Sequence, residues 1–294
     1  MRKRTPWLLK LLLLAGVSCV LVIVVGLVLS WFQGSGGLSL RDRIAVVRLE
    51  GVISDVRGVL ESLDKQGKDP RVKALVIRVD SPGGAVAPTQ EVFQALKSWS
   101  QSKKVVASLG SIATSGGYYV ACAAHRVVAN PGTITGSIGV VVQMASLENL
   151  LEKLGIKSQV IKSGQHKDMG SMFRSLSEEE KGLLQKVVDD VHEQFVTDVA
   201  SSRGLGMEKV RSMADGRIFS GRQAKDLGLV DELGGLREAI QVAARLAEIK
   251  GEPVVVEEPK ERFSIWKLIL GESRFNALWQ SFISPHPITF LFHP

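Results

Sequence analysis

Short runs rich in Val, Ile and Ala recur along this chain between stretches with helical spacing, and that alternation constrains its fold more than any other feature. The runs lie at Ile44–Leu49, Ala74–Asp80, Val105–Leu109, Arg126–Ala129, Ile138–Val142 and Gln159–Lys162. Helical patterns separate them at about Val56–Lys65, Thr89–Gln101, Ser115–Ala124 and Leu147–Leu154. Apolar strands without a polar face, joined by helix-length connections, predict an α/β class of repeated β-α units on a parallel sheet, and argue against a β-sandwich. From Glu178 the pattern turns helical: Ser177 stands where an N-cap belongs, three acids fill the first turn, and apolar residues follow at helical spacing. Met207–Met213, Gly221–Leu227 and Leu236–Ile249 continue as predicted helices, giving a helical C-terminal part.

One segment cannot belong to that fold. Leu11 to Phe32 runs 22 residues without a charge, and as a helix it would span roughly 33 Å against a hydrocarbon core of about 30 Å. This predicts one N-terminal transmembrane helix. The run is longer than the apolar region of a cleaved signal peptide and ends in Trp31-Phe32, a pair suited to an interface. Cys19 does not make a lipoprotein signal, because Gly16 stands where a Leu belongs. The expected organisation is a basic flank at 1–10, the membrane helix at 11–32, a Gly-rich linker at 33–43, a catalytic-sized body at 44–250 and a tail at 251–294. The formal charge of +7 over 294 residues includes four bases and no acid in residues 1–40. The three remaining positive charges are too few for a phosphate footprint, so no nucleic-acid partner is expected. By the positive-inside rule the basic flank is cytoplasmic and the body extracytoplasmic, at a cell membrane.

Cys19 and Cys122 are badly placed for a disulfide, and Cys122 reads as a small buried hydrophobe. The five histidines are scattered without a His-x-x-x-His pair, so neither a metal nor a cofactor is expected. The tail concentrates aromatics around Phe263, Trp266, Phe275, Trp279 and ITFLF (288–292). It is too broken to span a bilayer, and suits interfacial docking, contact with another subunit, or closure of the protomer's own core.

Chemistry is suggested where glycines follow predicted strands. In Asp80-Ser-Pro-Gly-Gly-Ala, two glycines after a stiff Pro82 let backbone N–H groups approach a ligand, as one side of an oxyanion hole would; the same residues make an ordinary tight turn. In Gly110-Ser-Ile-Ala-Thr-Ser-Gly-Gly-Tyr-Tyr, Ser115 stands at a strand-to-helix turn, as a nucleophile does; it is equally placed to cap the helix. A serine nucleophile needs a base. His125 lies roughly 15 Å away if the intervening residues are helical. His166 sits in the loop SGQHKDMG beside Lys167, and a lysine buried in apolar surroundings can lose its proton and serve instead, although the adjacent Asp168 opposes this if it points inward.

DSPGG (80–84), GSIATSGGYYVACAA (110–124), TITGSIGV (133–140), IKSGQHKD (161–168) and DGRIFSGRQAKDLGLVDELGG (215–235) resemble, in order, the motifs of the signal peptide peptidase A family, across about residues 44–248. The resemblance implies the Clp/crotonase fold and a membrane-anchored serine protease with a Ser/Lys dyad: Ser115 as nucleophile and Lys167 as general base. It further implies an oxyanion hole from Gly84 and the backbone N–H of Ser115 or Gly116, and Ser137 orienting the lysine amine. Short members of the family share the dyad between protomers of a ring, so a homo-oligomer, an octamer, is implied, with signal-peptide remnants and other apolar peptides as substrates and an apolar S1 pocket. Ala85 replaces a third glycine of the closest patterns. A crotonase-like acyl-CoA enzyme and a non-catalytic membrane scaffold are alternatives on the same fold.

Overall fold

The computed structural model describes residues 15–18, 20–25, 41–257 and 289–291. The chain divides between Arg41 and Asp42 into two compact units. In the first, residues 15–18 and 20–25 are helical (α1) and exposed; the rest of the expected span 11–32 lies outside the described residues. Among those described, no helix is long and apolar enough to cross a membrane.

The second unit is built on a sheet that is eight-stranded among the described residues. It comprises β1 (Arg43–Glu50), β2 (Val72–Ser81), β4 (Lys104–Thr114), β5 (Arg126–Ala129), β6 (Ile134–Gly136), β7 (Ile218–Ser220), β8 (Glu232–Leu233) and β9 (Val254–Glu257). β2 pairs with β1 and β4, β9 adds outside β1, and β4 meets first β5 and then β6 along its other edge, all parallel; β7 closes on β6 antiparallel. A separate short strand, β3 (Gly83–Ala85), follows β2 directly.

The alternation of side chains along a strand puts both faces of these strands in a core. Ala45, Val47 and Leu49 of β1 with Leu75, Ile77 and Val79 of β2 face one cluster, together with α2 (Arg57–Lys68), α3 (Val86–Ser102), α4 (Gly116–Cys122) and α6 (Glu178–Arg203). Ile44, Val46, Ala74 and Val76 face the other, covered by α9 (Leu236–Leu246), which follows α7 (Met207–Arg211) and α8 (Gly221–Leu227) in the chain. A strand buried on both faces needs no polar alternation, which is why the four central strands fall where the apolar runs do. α6 starts as expected: Ser177 Oγ accepts from Glu180 N at 3.2 Å while Glu180 Oε2 accepts from Ser177 N at 3.0 Å, a capping box.

Two predicted strands do not form. In place of Ile138–Val142 the strand is β6, and it ends because Ser137 adopts φ 52° and turns its N–H to Arg217 O at 2.8 Å. Gln159–Lys162 is exposed and unpaired. Beside it lies only the short helix α5 (Glu148–Lys153), with no buried residue. Of the expected tail, 251–294, residues 251–257 and 289–291 are described: Val254–Glu257 form β9 and extend the main sheet beside β1, and Thr289–Leu291 pair antiparallel with β3.

Candidate active site

The site is made where β4 overshoots its neighbour. Val79 pairs with Leu109, but Ser81 pairs with Ala113, so Gly110, Ser111 and Ile112 bulge opposite Asp80. Asp80 Oδ1 accepts from Ile112 N at 3.1 Å, and a Cβ on Gly110 would lie 2.5 Å from the Asp80 carboxyl carbon, so only glycine fits. The bulge carries the Ser115 turn alongside Ser81-Pro82-Gly83. There the Thr114 hydroxyl donates to Pro82 O at 3.2 Å, and Gly117 packs so closely on Ser81 that a Cβ would sit 2.7 Å from its carbonyl oxygen.

Ser115 is 1% exposed and adopts φ 53°, ψ −119°, outside the regions an L-residue favours. Such strain costs of order 1–3 kcal/mol and persists only where packing over-determines it. Here α4 supplies that packing. Each of its residues is buried, the Tyr118 hydroxyl donates to Leu229 O at 2.9 Å, and the Tyr119 ring lies 4.8 Å from both Phe93 and Phe195. Ser115 occupies the N-cap position, yet its side chain makes no cap hydrogen bond. The hydroxyl is therefore not spent on the helix. Its own N–H is spent, donating to Gly136 O at 2.8 Å. Of the two donors considered at this turn, Gly116 N–H is the one left free.

That bond ties Ser115 to the Ser137 turn, since Thr114 and Gly136 are paired across β4 and β6. Ser137 is 6% exposed and, like Ser115, has positive φ. The β7 segment holds it. Arg217 O receives Ser137 N–H, and the Phe219 ring lies against Gly136, where a Cβ would come within 2.6 Å of it. The motif DGRIFSG was visible in the sequence without a role; this is its structural one. Asp215 and Arg217 pair side chain to side chain, and that bond holds the Asp215 carboxyl down at about 2. A cavity of about 470 Å³ opens beside Ser137, lined also by Val140, Val141, Asp189, His192 and Asp215.

Gly84 lies in β3, which contacts α4. Ile53, which sequence reasoning did not single out, fills one edge of β3: Ile53 N donates to Gly83 O at 2.9 Å and Ile53 O accepts from Ala85 N at 2.8 Å. Because backbone groups alternate along a strand, the N–H and C=O of Gly84 face the opposite edge. A Cβ on Gly84 would stand 2.1 Å from Ile53 O. Gly84→Ala should therefore lower stability by about 1–3 kcal/mol in chemical denaturation, and, if its N–H is an oxyanion donor, kcat by about 10²–10³. Gly132→Ala, with nothing within 4 Å, is the control and should stay within about 0.5 kcal/mol of the parent.

Ser115, Gly116, Gly84 and Ser137 are thus brought together. Lys167 is not. It is exposed, bonds neither to Ser115 nor to any other side chain among the described residues, and lies in a stretch, 139–179, with no buried residue. Its neighbour Asp168 turns away to Lys162 Nζ (2.6 Å) and Arg174 Nε (2.9 Å), and these bonds push its carboxyl well below the usual range. Arg174 also donates to Glu180 at the start of α6, which anchors the loop. His166 Nε2 lies 3.6 Å from Glu179 Oε1. His125 Nδ1 accepts from Val105 N at 3.1 Å, at the far end of α4, and is no base for this turn.

A strained, uncapped serine at the carboxyl ends of parallel strands, with the Gly116 N–H free beside it, is the arrangement of a serine hydrolase. Residues 97–250 match the model of Peptidase family S49. The chain belongs to that family, which is the signal peptide peptidase A family, and it is a serine protease. It is 47% identical over 245 residues to slr0021 of Synechocystis sp., covering 82% of this chain and 87% of that one. It is 36% identical over 234 residues to "Serine protease SPPA, chloroplastic" of Arabidopsis thaliana, covering 74% of this chain. It is 38% identical over 183 residues to "Protease 4" of Salmonella typhi, covering 62% of this chain. It spans only 34% and 29% of the latter two, respectively. The mixed sheet with mainly parallel pairing agrees with the Clp-like fold of the family, and family membership sets the acyl-CoA and scaffold readings aside.

Proposed function

We propose that this protein is a signal peptide peptidase, hydrolysing signal-peptide remnants and other apolar peptides at a membrane surface through a Ser/Lys dyad shared between protomers of a ring, an octamer. The observation that carries this reading is the Ser115 hydroxyl, held on a strained turn with no capping bond. In the reaction, Ser115 Oγ attacks the scissile carbonyl and its proton passes to the Lys167 amine of a neighbouring protomer, oriented by Ser137. The oxyanion is held by Gly84 and Gly116 N–H, each well-placed donor contributing roughly 2.7–4 kcal/mol. The lysine ammonium protonates the leaving amine as the C–N bond breaks, and water then hydrolyses the Ser115 ester, returning the serine.

Two features support sharing of the dyad. Lys167 stands on a segment without buried residues, and that segment exposes Leu150, Leu154, Ile156, Val160, Ile161 and Phe173, an apolar surface a lone protomer leaves in water. Burial of the arm against a second copy would also desolvate the amine, which disfavours the ammonium form. The N-terminal run supports a single membrane anchor with its basic flank in the cytoplasm and the protease body outside. The test is labelling of the detergent-solubilised full chain with a serine-directed fluorophosphonate, followed by peptide mapping. The adduct is expected on Ser115; an adduct on another serine would overturn the assignment.

A further inference from the structure

The segment that carries Lys167 has no buried residue from 139 to 179, so apolar packing does not fix where the lysine stands. Ion pairs do. All five N–H donors of the Arg174 guanidinium are used. Nε and Nη2 fork onto Asp168, at 2.9 Å to Oδ2 and 2.8 Å to Oδ1. Nη1 and Nη2 fork onto Glu180, at 2.8 Å to Oε2 and 2.5 Å to Oε1, and Nη1 also reaches Ser175 O at 3.1 Å. Lys162 Nζ brings a second cation to Asp168 at 2.6 Å and donates to Gln165 O at 2.8 Å. Two acids thus face two bases, and they are withdrawn from water: the Glu180 side chain is 4% exposed, Asp168 12% and Arg174 30%. Glu180 is also the N3 residue of the α6 capping box, so the cluster ties the segment to a 26-residue helix whose Phe195, Val196 and Val199 lie in the core.

We propose that Arg174 and Asp168 are positioning residues for the base: the Asp168–Arg174–Glu180 cluster sets where the Lys167 amine is presented to a neighbouring protomer. This rests on the reading of Lys167 as the general base. Consecutive Cα atoms are about 3.8 Å apart, so a bidentate hold on Asp168 fixes the main chain of Lys167 and leaves its side chain unbonded. The main-chain bonds of the turn are local: Lys167 N donates to Gly164 O at 3.2 Å, Met169 N to His166 O at 3.1 Å and Ser171 N to Asp168 O at 3.0 Å. Charge and position act in opposite directions here, which makes the role separable. A carboxylate beside an amine favours the ammonium, so as a bare charge Asp168 would oppose the base, and its removal would leave turnover equal or faster. As a hold on the main chain, its removal costs rate, because a displacement of about 1 Å at a reacting group can cost about 10²-fold. A lysine at 174 would keep the charge but has no planar fork to engage both carboxylates.

The test co-refolds full-length chains that are each inactive alone and reads hydrolysis of an apolar reporter peptide. Asp168→Ala leaves Arg174 on Glu180 and the capping box in place, so α6 keeps its start. Placed in the Ser115→Ala chain, which supplies the base, it should cut the activity recovered with Lys167→Ala chains by about 10²-fold. Placed instead in the Lys167→Ala chain, which supplies the nucleophile, it should leave the recovered activity at the level of the mixture without it, because that arm carries no base. Equal loss in both mixtures overturns the proposal by showing a general structural role, and so does loss in neither. In chains with both dyad residues present, Asp168→Ala and Arg174→Lys should each lower kcat by about 10²-fold with KM unchanged; full kcat in either overturns it. If Ser115→Ala and Lys167→Ala chains without further change fail to complement, sharing of the dyad between protomers fails instead, and kcat of the variants with an intact dyad decides the positioning role.

Discussion

Ser115→Ala and Lys167→Ala should each abolish hydrolysis of an apolar reporter peptide, while His166→Ala retains most of it. The magnitude expected for losing either member of a dyad that acts as a unit is large, up to about 10⁶ in kcat by analogy with serine-protease nucleophiles. None of the three changes should unfold the protein. Ser115 forms no side-chain bond that alanine would lose, and alanine meets the same positive φ. The Lys167 side chain is exposed and makes no bond among the described residues, and His166 makes only a peripheral approach to Glu179. Loss of activity with an unchanged denaturation midpoint therefore reads the chemistry and not the fold. An inactive His166 variant beside an active Lys167 variant would falsify the base assignment.

Mixing the two dead proteins should bring activity back. If the nucleophile comes from one protomer and the base from the next around a head-to-tail ring, co-refolding Ser115→Ala with Lys167→Ala chains at equal ratio rebuilds complete sites at about a quarter of the interfaces. The recovered rate should approach that fraction of the parent's. The physical ground is the mismatch between the two residues within one chain: Ser115 is 1% exposed at the end of a buried strand, whereas Lys167 is exposed on a segment with no buried residue. Mixtures that stay inactive, while the unmixed parent refolds to full rate, would put the dyad within one chain.

The central strands were legible because their composition answers to burial alone. β1, β2, β4 and β5 are covered on both faces, so runs rich in Val, Ile and Ala identify them. β6 was displaced by four residues, since Ile138 to Val142 has the right composition but Ser137 breaks the strand with a positive φ that a bond to Arg217 supports. Composition carries no record of a partner eighty residues away. β3 and β7, three residues each, are too short to show a pattern, and the tail was legible only as apolar and aromatic, with no sign that Thr289–Leu291 would find β3.

The site divides in the same way. The residues themselves brought out Gly84 and Ser115, where glycines and hydroxyls follow strands, and Lys167 as a loop lysine, and Ser137 came only through the family resemblance; they left Ser115 equally suited to capping a helix. The tertiary structure decided that point, because the β4 bulge and the buried α4 fix Ser115 in a conformation whose hydroxyl makes no cap bond. It also decided which N–H groups are spent, Ser115 on Gly136 and Ala85 on Ile53, and which edge Gly84 faces. Residue types and their spacing determine what chemistry a segment can offer. Which of its polar groups remain free to perform it depends on bonds between segments far apart in the chain, and those exist only once the sheet has formed.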